Sequence, residues 1–435
     1  MKQPTCPAGG SETRIMADKG APPSVTKEVY EALGTISSEE GFSKPIYQVE
    51  LGSEAGDGYT SVLYRITIQD EDASGRADAP LTVMCKTLPE RAAAGSFKDL
   101  IFLAEGLMYE TALPALEEVA SLGPPLPWPR CLRALVDGPS LPLLMLEDLR
   151  PEGFRMADRR ELLDPEHCRL ALTQLARFHG SSMALKHLKP HVFKAISDKL
   201  RDPSEKSQMN ALFTQVFAAA KSAPDIIQDK FPEGSKTRAK LQEIFAKFTE
   251  DFYRAVEMDG EVGTGIVHGD CHSNNVMFQY DKQSGAVTGC RLIDFQCTRV
   301  GHTACDVASL LLPATDKAAR AAHWQGLLRH YHVELQATLR AAGCPEHIYS
   351  WDQFMDCLRS ASGLGLVMTP LFVQVMYGDP AAIKEVKDSV DAINNAAANE
   401  APAPIPLQMK ATPLMKERFG DLVQDMVDWG WLPRD

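Results

Sequence analysis

Apolar and polar positions along this chain follow two periods, and the period changes near residue 165. Up to that point the dominant pattern is that of strands. Residues 47–51 read as one strand. Residues 62–68 alternate and are rich in β-branched side chains, and 81–88 form a return strand with Lys86 near its end. A glycine-rich turn, 52–58, joins the first two. The exception is 97–113, where Phe97, Ile101, Glu105 and Tyr109 fall four apart on one helical face and Pro114 is expected to end or kink the helix. The apolar run 141–146, just before Glu147-Asp148, reads as a short buried strand.

Beyond residue 165 the period is helical. Residues 167–182, 205–221, 236–257 and most of the chain after 303 fit helices. One β-rich island interrupts them. Strands at 266–267, 276–280 and 288–293 surround a hairpin turn, Asp281-Lys282-Gln283-Ser284-Gly285. These patterns predict an α+β protein with three parts. Residues 1–24 form a flexible tail, 25–150 a small β-rich nucleotide-binding lobe, and 151–435 a larger, mainly helical catalytic and substrate-binding lobe. A Pro-rich connection lies at 400–406. A ligand cleft is expected between such lobes.

Composition narrows the function classes. At 24% charged and 44% hydrophobic residues the 435-residue chain is globular. Its net charge of −13 disfavours nucleic acid and anionic membranes as partners. The first twenty residues lack the apolar core of a leader, and no apolar stretch is long enough to span a bilayer. The ten cysteines form no Cys-x-x-Cys pair, so reduced thiols in a cytoplasmic protein are expected.

The candidate chemistry lies in the β-rich island. Phosphoryl transfer needs a base for the attacking hydroxyl, hard oxygen ligands for magnesium, a cation on the nucleotide phosphates and a loop to cover them. Asp270, in the turn His268-Gly269-Asp270, is placed to be the base. Asn275, five residues on, and Asp294, after the second hairpin strand, are candidate metal ligands if the hairpin folds back. His268 could serve as a base or order the loop, and His272 and His179 read as structural. Lys86 is the candidate phosphate lysine. Glu105 is its candidate partner, with Glu110 as the alternative. The turn containing Gly56, Asp57 and Gly58 is the candidate phosphate-covering loop. Glu147, Asp148 and Leu149 form a candidate adenine hinge.

The run from His268 to Asn275, Leu292-Ile293-Asp294-Phe295-Gln296 and Leu146-Glu147-Asp148-Leu149 together resemble the ecdysteroid kinase-like (CHK-kinase-like) family, within the aminoglycoside phosphotransferase and choline kinase group. Gly153-Phe154, Leu175-Ala176-Arg177-Phe178-His179 and Phe102-Leu103-Ala104-Glu105 add to the likeness, which runs from about residue 45 to 385. It implies a bilobal protein kinase-like fold, ATP with Mg2+, and a small-molecule substrate carrying a hydroxyl, possible acceptors being ecdysteroids and other steroid or xenobiotic alcohols. It assigns Asp270 as base, Asn275 and Asp294 as metal ligands, Lys86 and Glu105 as the nucleotide pair and Glu147 to Leu149 as the hinge. Three positions depart from the family. Gly58 stands where Asn is usual, and Cys271-His272 where Leu-Trp is usual. Two alternatives stay open: a catalytically silent nucleotide-binding module, and an aminoglycoside- or choline-type kinase.

Overall fold

A computed structural model describes residues 15–16, 25–52, 61–71, 79–88, 97–123, 125–136, 141–158, 160–200, 218, 220–256, 262–377, 384, 388 and 409–435. Gly56, Asp57 and Gly58 lie outside the described residues, as do the 400–406 connection, nearly all of the 1–24 tail and most of the helix expected at 205–221. The chain divides into two compact units. The first takes residues 1–91 and 130–151, and the second takes 92–129 and 152–435.

The first unit is a helix on a sheet. Strands β1 (Ile15–Met16), β2 (Pro45–Leu51), β3 (Val62–Asp70), β4 (Leu81–Thr87), β5 (Cys131–Leu135) and β6 (Leu143–Glu147) lie in the order β1-β2-β3-β4-β6-β5, with β1 parallel to β2 and every other pair antiparallel. Alternation decides which face is covered. Tyr64, Ile66 and Ile68 of β3 and Val83 and Cys85 of β4 point into one core. Helix α1 (Lys27–Glu39) closes that core with Val29, Ala32, Leu33 and Ile36, four positions of one helical stripe. Lys86 is out of phase with Val83 and Cys85, so it stands on the opposite face of the sheet, level with Leu63 and Leu144 on the neighbouring strands.

Asp148 follows β6 and ties this opposite face together. Its side chain is 2% exposed and accepts from Arg65 Nε at 2.7 Å and Arg150 Nε at 2.9 Å. Burial alone would raise the carboxyl, but the hydrogen bonds and charge of Arg150 and Arg65 outweigh it and hold Asp148 below the usual carboxylate range.

The second unit is mainly helical. Helix α2 (Phe97–Leu107) runs into a π-helical segment, Met108–Ala112, and then α3 (Leu113–Ala120). Pro114 was expected to end or kink the helix near here. The helix does not end there: the chain stays helical from the π segment into α3, with Pro114 the second residue of α3. Helix α4 (Pro165–Leu188) starts on Asp164, whose carboxylate accepts the amides of Glu166 and His167. The further helices are α5 (Pro190–Lys199), α6 (Lys236–Val256), α7 (Thr303–Ala314), α8 (Lys317–Ala341), α9 (Trp351–Tyr377) and α10 (Pro413–Asp428). Helix α4 packs along α8, closely enough at Gly180 that a Cβ there would lie 2.8 Å from Thr338 Cβ. The β-rich island is a three-stranded sheet and a two-stranded ribbon. β7 (Phe154–Met156), β9 (Val276–Tyr280) and β10 (Val287–Leu292) make the first, β8 (Thr264–Val267) and β11 (Arg299–His302) the second. Among the described residues no helix is long and apolar enough to cross a membrane.

The depressed Asp148 carboxyl has a signed consequence. Its stabilisation is present at neutral pH, where folded and unfolded forms are both ionised. It is lost as pH falls below the ordinary carboxylate value of about 4 and then through the lower folded value. Asp148→Asn is expected to cost roughly 1–3 kcal/mol at pH 7. In denaturant titrations the gap between wild type and variant should shrink as the pH is lowered. A gap that persists unchanged in acid would show that the charge of Asp148 is not what stabilises this face.

Candidate active site

The site is built where β8 ends. Its four residues are all buried, and the chain then turns through His268, Gly269 and Asp270. Gly269 has φ +82°, and a Cβ there would lie 2.1 Å from the Cys297 carbonyl oxygen. No other residue fits both the torsion and the space. Arg299 of β11 donates through Nη1 to the Gly269 carbonyl at 3.1 Å and the Cys297 carbonyl at 3.2 Å, fastening the peptide that leads into Asp270.

His268 is fully buried. Its Nε2 faces the Ile293 carbonyl at 2.9 Å, which places the proton on Nε2. Among the described residues, Nδ1 has no hydrogen-bond partner. A ring sealed in this way holds the loop against the chain that precedes Asp294.

Asp270, by contrast, keeps 32% of its side chain exposed. Its Oδ2 accepts from Asn275 Nδ2 at 3.2 Å, and the same nitrogen donates to its backbone carbonyl at 2.8 Å. Its Oδ1 lies 3.5 Å from His272 Nε2. Desolvation works to raise this carboxyl. The charge and hydrogen bond of His272, with His268 and Asn275, more than offset it, so Asp270 is held below the usual carboxylate range and stays ionised. Burial disfavours the His272 cation, but Asp270 and Asp294 pull its pKa upward. The Asn274 amide donates to His272 Nδ1 at 3.2 Å, so the neutral ring carries its proton on Nε2, facing Asp270.

The hairpin folds back. Val276 pairs with Leu292 at the open end of β9–β10, and the Ile293 amide donates to the Asn275 carbonyl at 3.0 Å. Asn275 and Asp294 therefore flank one end of the ladder. The Asn275 amide nitrogen is anchored to Asp270. Asp294 sits at φ +66°, ψ 64°, a left-handed conformation that a non-glycine residue adopts at some cost. The next residue supplies the compensation. Phe295 is fully buried and meets four rings: His268 at 4.9 Å, Phe178 at 5.6 Å, Tyr109 at 5.8 Å and Trp128 at 6.3 Å between centroids.

Of the other sequence candidates, Lys86 belongs to the first unit and Glu105 to the second, where it is 2% exposed on α2 in the same stripe as Ile101 and Tyr109. At Glu147–Leu149, the Glu147 amide donates to the Arg130 carbonyl and the Asp148 amide to the Thr82 carbonyl. Both amides are engaged within the sheet, so an adenine contact here would use a carbonyl or the Leu149 amide.

The sequence reading missed Asp306. This residue of α7 is 2% exposed, and its two carboxylate oxygens accept consecutive loop amides: His268 N at 2.6 Å on Oδ2 and Gly269 N at 3.0 Å on Oδ1. Burial would raise its pKa, but His179 and these amides lower it further than burial lifts it. A signal was available. Asp306 is the single acid on a helix whose inner face is otherwise Ala304, Val307, Leu310 and Leu311.

A search of curated sequences returns no significant match to this chain. Two of the solved structures that resemble it distantly illustrate the likeness. One is the GDP complex of aminoglycoside 2′-phosphotransferase-IIIa, at 12% identity and a TM-score of 0.36 over 85% of this chain and 99% of that one. The other is a thermostable variant of the aminoglycoside phosphotransferase APH(4)-Ia in a ternary complex with ADP and hygromycin B, at 12% identity and a TM-score of 0.31 over 86% and 98%. A model of the ecdysteroid kinase-like family matches residues 55–344, well over half of the chain. That stretch contains Lys86, Glu105, Asp270, Asn275 and Asp294. The chain belongs to the ecdysteroid kinase-like family.

Proposed function

We propose that the protein is an ATP-dependent kinase that phosphorylates a hydroxyl of a small, largely apolar molecule, a steroidal or xenobiotic alcohol, with Asp270 as the base. The observation that carries this reading is the state of Asp270. It is a partly exposed carboxylate, held ionised and fixed through Asn275 on a loop pinned by Asp306 and Arg299. Such a group can accept the hydroxyl proton as the oxygen attacks phosphorus. Asn275 Oδ1 and Asp294 would hold Mg2+. When bound, the ion neutralises charge on the transferring phosphate. Lys86 and Glu105 are the proposed nucleotide pair, 147–149 the proposed hinge, and the turn with Gly56, Asp57 and Gly58 the proposed cover. Among the described residues no cysteine forms a disulfide, which suits a cytoplasmic setting.

The acceptor class follows from a pocket within the second unit. It is a shallow hollow, open to solvent, that reaches His272, the neighbour of Asp270. Its walls include Leu162, Leu310 and Phe372, and the Phe372 ring lies 5.0 Å from that of His272. Glu161 is the one acid in the lining, beside two basic side chains, Arg418 and His272. A polycationic aminoglycoside needs several carboxylates. An apolar alcohol suits this lining better.

Two outcomes are expected. Asp270→Asn should lower kcat by roughly 10²–10⁴-fold, with ATP affinity and thermal midpoint close to wild type. Undiminished turnover in that variant would remove Asp270 from the role. In ADP-release assays over a panel of acceptors, neutral apolar alcohols should stimulate turnover and aminoglycosides or choline should not. The reverse ranking would contradict the acceptor class.

A further inference from the structure

Resting on the kinase reading, we propose that Arg418 of α10, together with Glu161, is a specificity-determining residue that selects acceptors carrying a second hydroxyl, remote from the one phosphorylated. Both residues line the hollow that reaches His272, and helix α7 gives that hollow its direction. Near the start of α7, Asp306 holds the His268 and Gly269 amides, and His272 and Ser273 of the same loop line the hollow. At the other end of α7 the Ala314 carbonyl accepts the Leu163 amide at 3.0 Å, which brings Glu161 and Leu162 there. Helix α10 meets the same end. Arg320 donates to the carbonyl of Thr315, the residue after Ala314, and also to Asp425 of α10. Asp306 and Ala314 are eight residues apart, about 12 Å along a helix. An acceptor lying along the hollow therefore has the Asp270 loop at one end and Arg418 with Glu161 at the other.

Helix α10 lies beyond the 55–344 stretch that carries the family match, and it is firmly held. Met415, Phe419, Leu422, Val423 and Met426 are buried along one face. Asp425 accepts from Arg320 Nε at 2.7 Å, and Trp429, just past the helix, stacks on Trp324 with centroids 4.5 Å apart and planes within 8°. The half-buried Arg418 thus stands on a fixed frame and offers a planar set of donors, more than one acceptor atom can use. Glu161 offers only acceptors. A ligand hydroxyl satisfies both, because it accepts from the guanidinium and donates to the carboxylate. A ligand carboxylate at that end would meet Glu161, and an ammonium would meet Arg418. The wall between the ends points the same way. Pro313 has no N–H to give the carbonyl of Ser309 one turn back, and both residues line the hollow. That carbonyl is left to seek a donor outside the helix ladder, as a hydroxylated ligand provides.

The test uses three rigid polycyclic alcohols that differ only at the end remote from a shared hydroxyl. One carries hydrogen there, one a second hydroxyl and one a carboxylate. Two quantities are read for each: kcat/KM with MgATP, and equilibrium binding by calorimetry without nucleotide. Wild type should favour the diol over the mono-alcohol by roughly 10–100-fold in both readouts, as expected for a hydrogen bond to a charged group. In Arg418→Met, which keeps the length and apolar stem, that ratio should fall to within a few-fold of one. Glu161→Gln should reduce it several-fold and raise binding of the carboxylate probe. If Arg418→Met does not fold, Arg418→Gln carries the test with the same expected collapse. A wild-type ratio near one, a ratio that survives loss of the guanidinium, a carboxylate preferred to the diol, or no binding of any probe would each overturn the proposal. The binding readout needs no turnover. Arg418-dependent preference for the diol with no phosphorylated product would count against the kinase reading and leave the role of Arg418 in place.

Discussion

One buried carboxylate, Asp306, sets the geometry on which the rest of the site depends. A loop that ends a strand and carries a reactive group has backbone amides with no ladder to join, and buried amides must find acceptors. Here the acceptors are the two oxygens of a single side chain, bonded to His268 N and Gly269 N. The loop is therefore pinned from below by α7 and from the side by Arg299 of β11, and Asp270 is displayed on a frame that owes little to its own contacts. Gly269 is the other half of this constraint. Its positive φ and its contact with the Cys297 carbonyl bring the loop against the chain that follows Asp294.

The second element of the site is held by aromatic packing. Asp294 adopts a left-handed backbone, which is unfavourable for a residue with a Cβ. It is kept there by Phe295, clasped between rings from the π segment, the chain before β5, helix α4 and the His268–Asp270 loop itself. Because His268 touches Phe295 and also bonds the Ile293 carbonyl, the two acidic residues of the site share one anchoring ring. Polar clamp and aromatic clasp act on different residues but on the same short stretch of chain. Together they keep a partly exposed carboxylate and its neighbours in register.

How far the sequence announces all this varies with the range of the interaction. The hairpin 276–292 is legible because its alternation and its Asp281–Gly285 turn are local, and it delivers Asp294 beside Asn275 as expected. Lys86 is legible as a strand residue for the same reason. Strands β7 and β11 are not, since each is short and polar or glycine-bearing and exists only through a partner distant in sequence. The π segment Met108–Ala112 has no propensity signature, and Pro114 reads as a break although the chain stays helical past it, from that segment into α3. Asp306 escapes notice because its bonds span more than thirty residues and run to backbone atoms, which no side-chain motif records. His179 reads as structural, and only its place beside Asp306 and Tyr331 shows what it is connected to.

The most direct test is transfer itself. The protein would be incubated with Mg2+, ATP carrying an isotopic label in the γ-phosphate, and a mixture of neutral polycyclic and aromatic alcohols, and the products would be analysed by mass spectrometry. The expected result is one labelled phosphoryl group on the oxygen of at least one alcohol, dependent on Mg2+. Tight binding of ATP with no labelled alcohol, across a mixture wide enough to fill the pocket at His272 and Phe372, would contradict the assignment of Asp270 as a working base and favour a silent nucleotide-binding module.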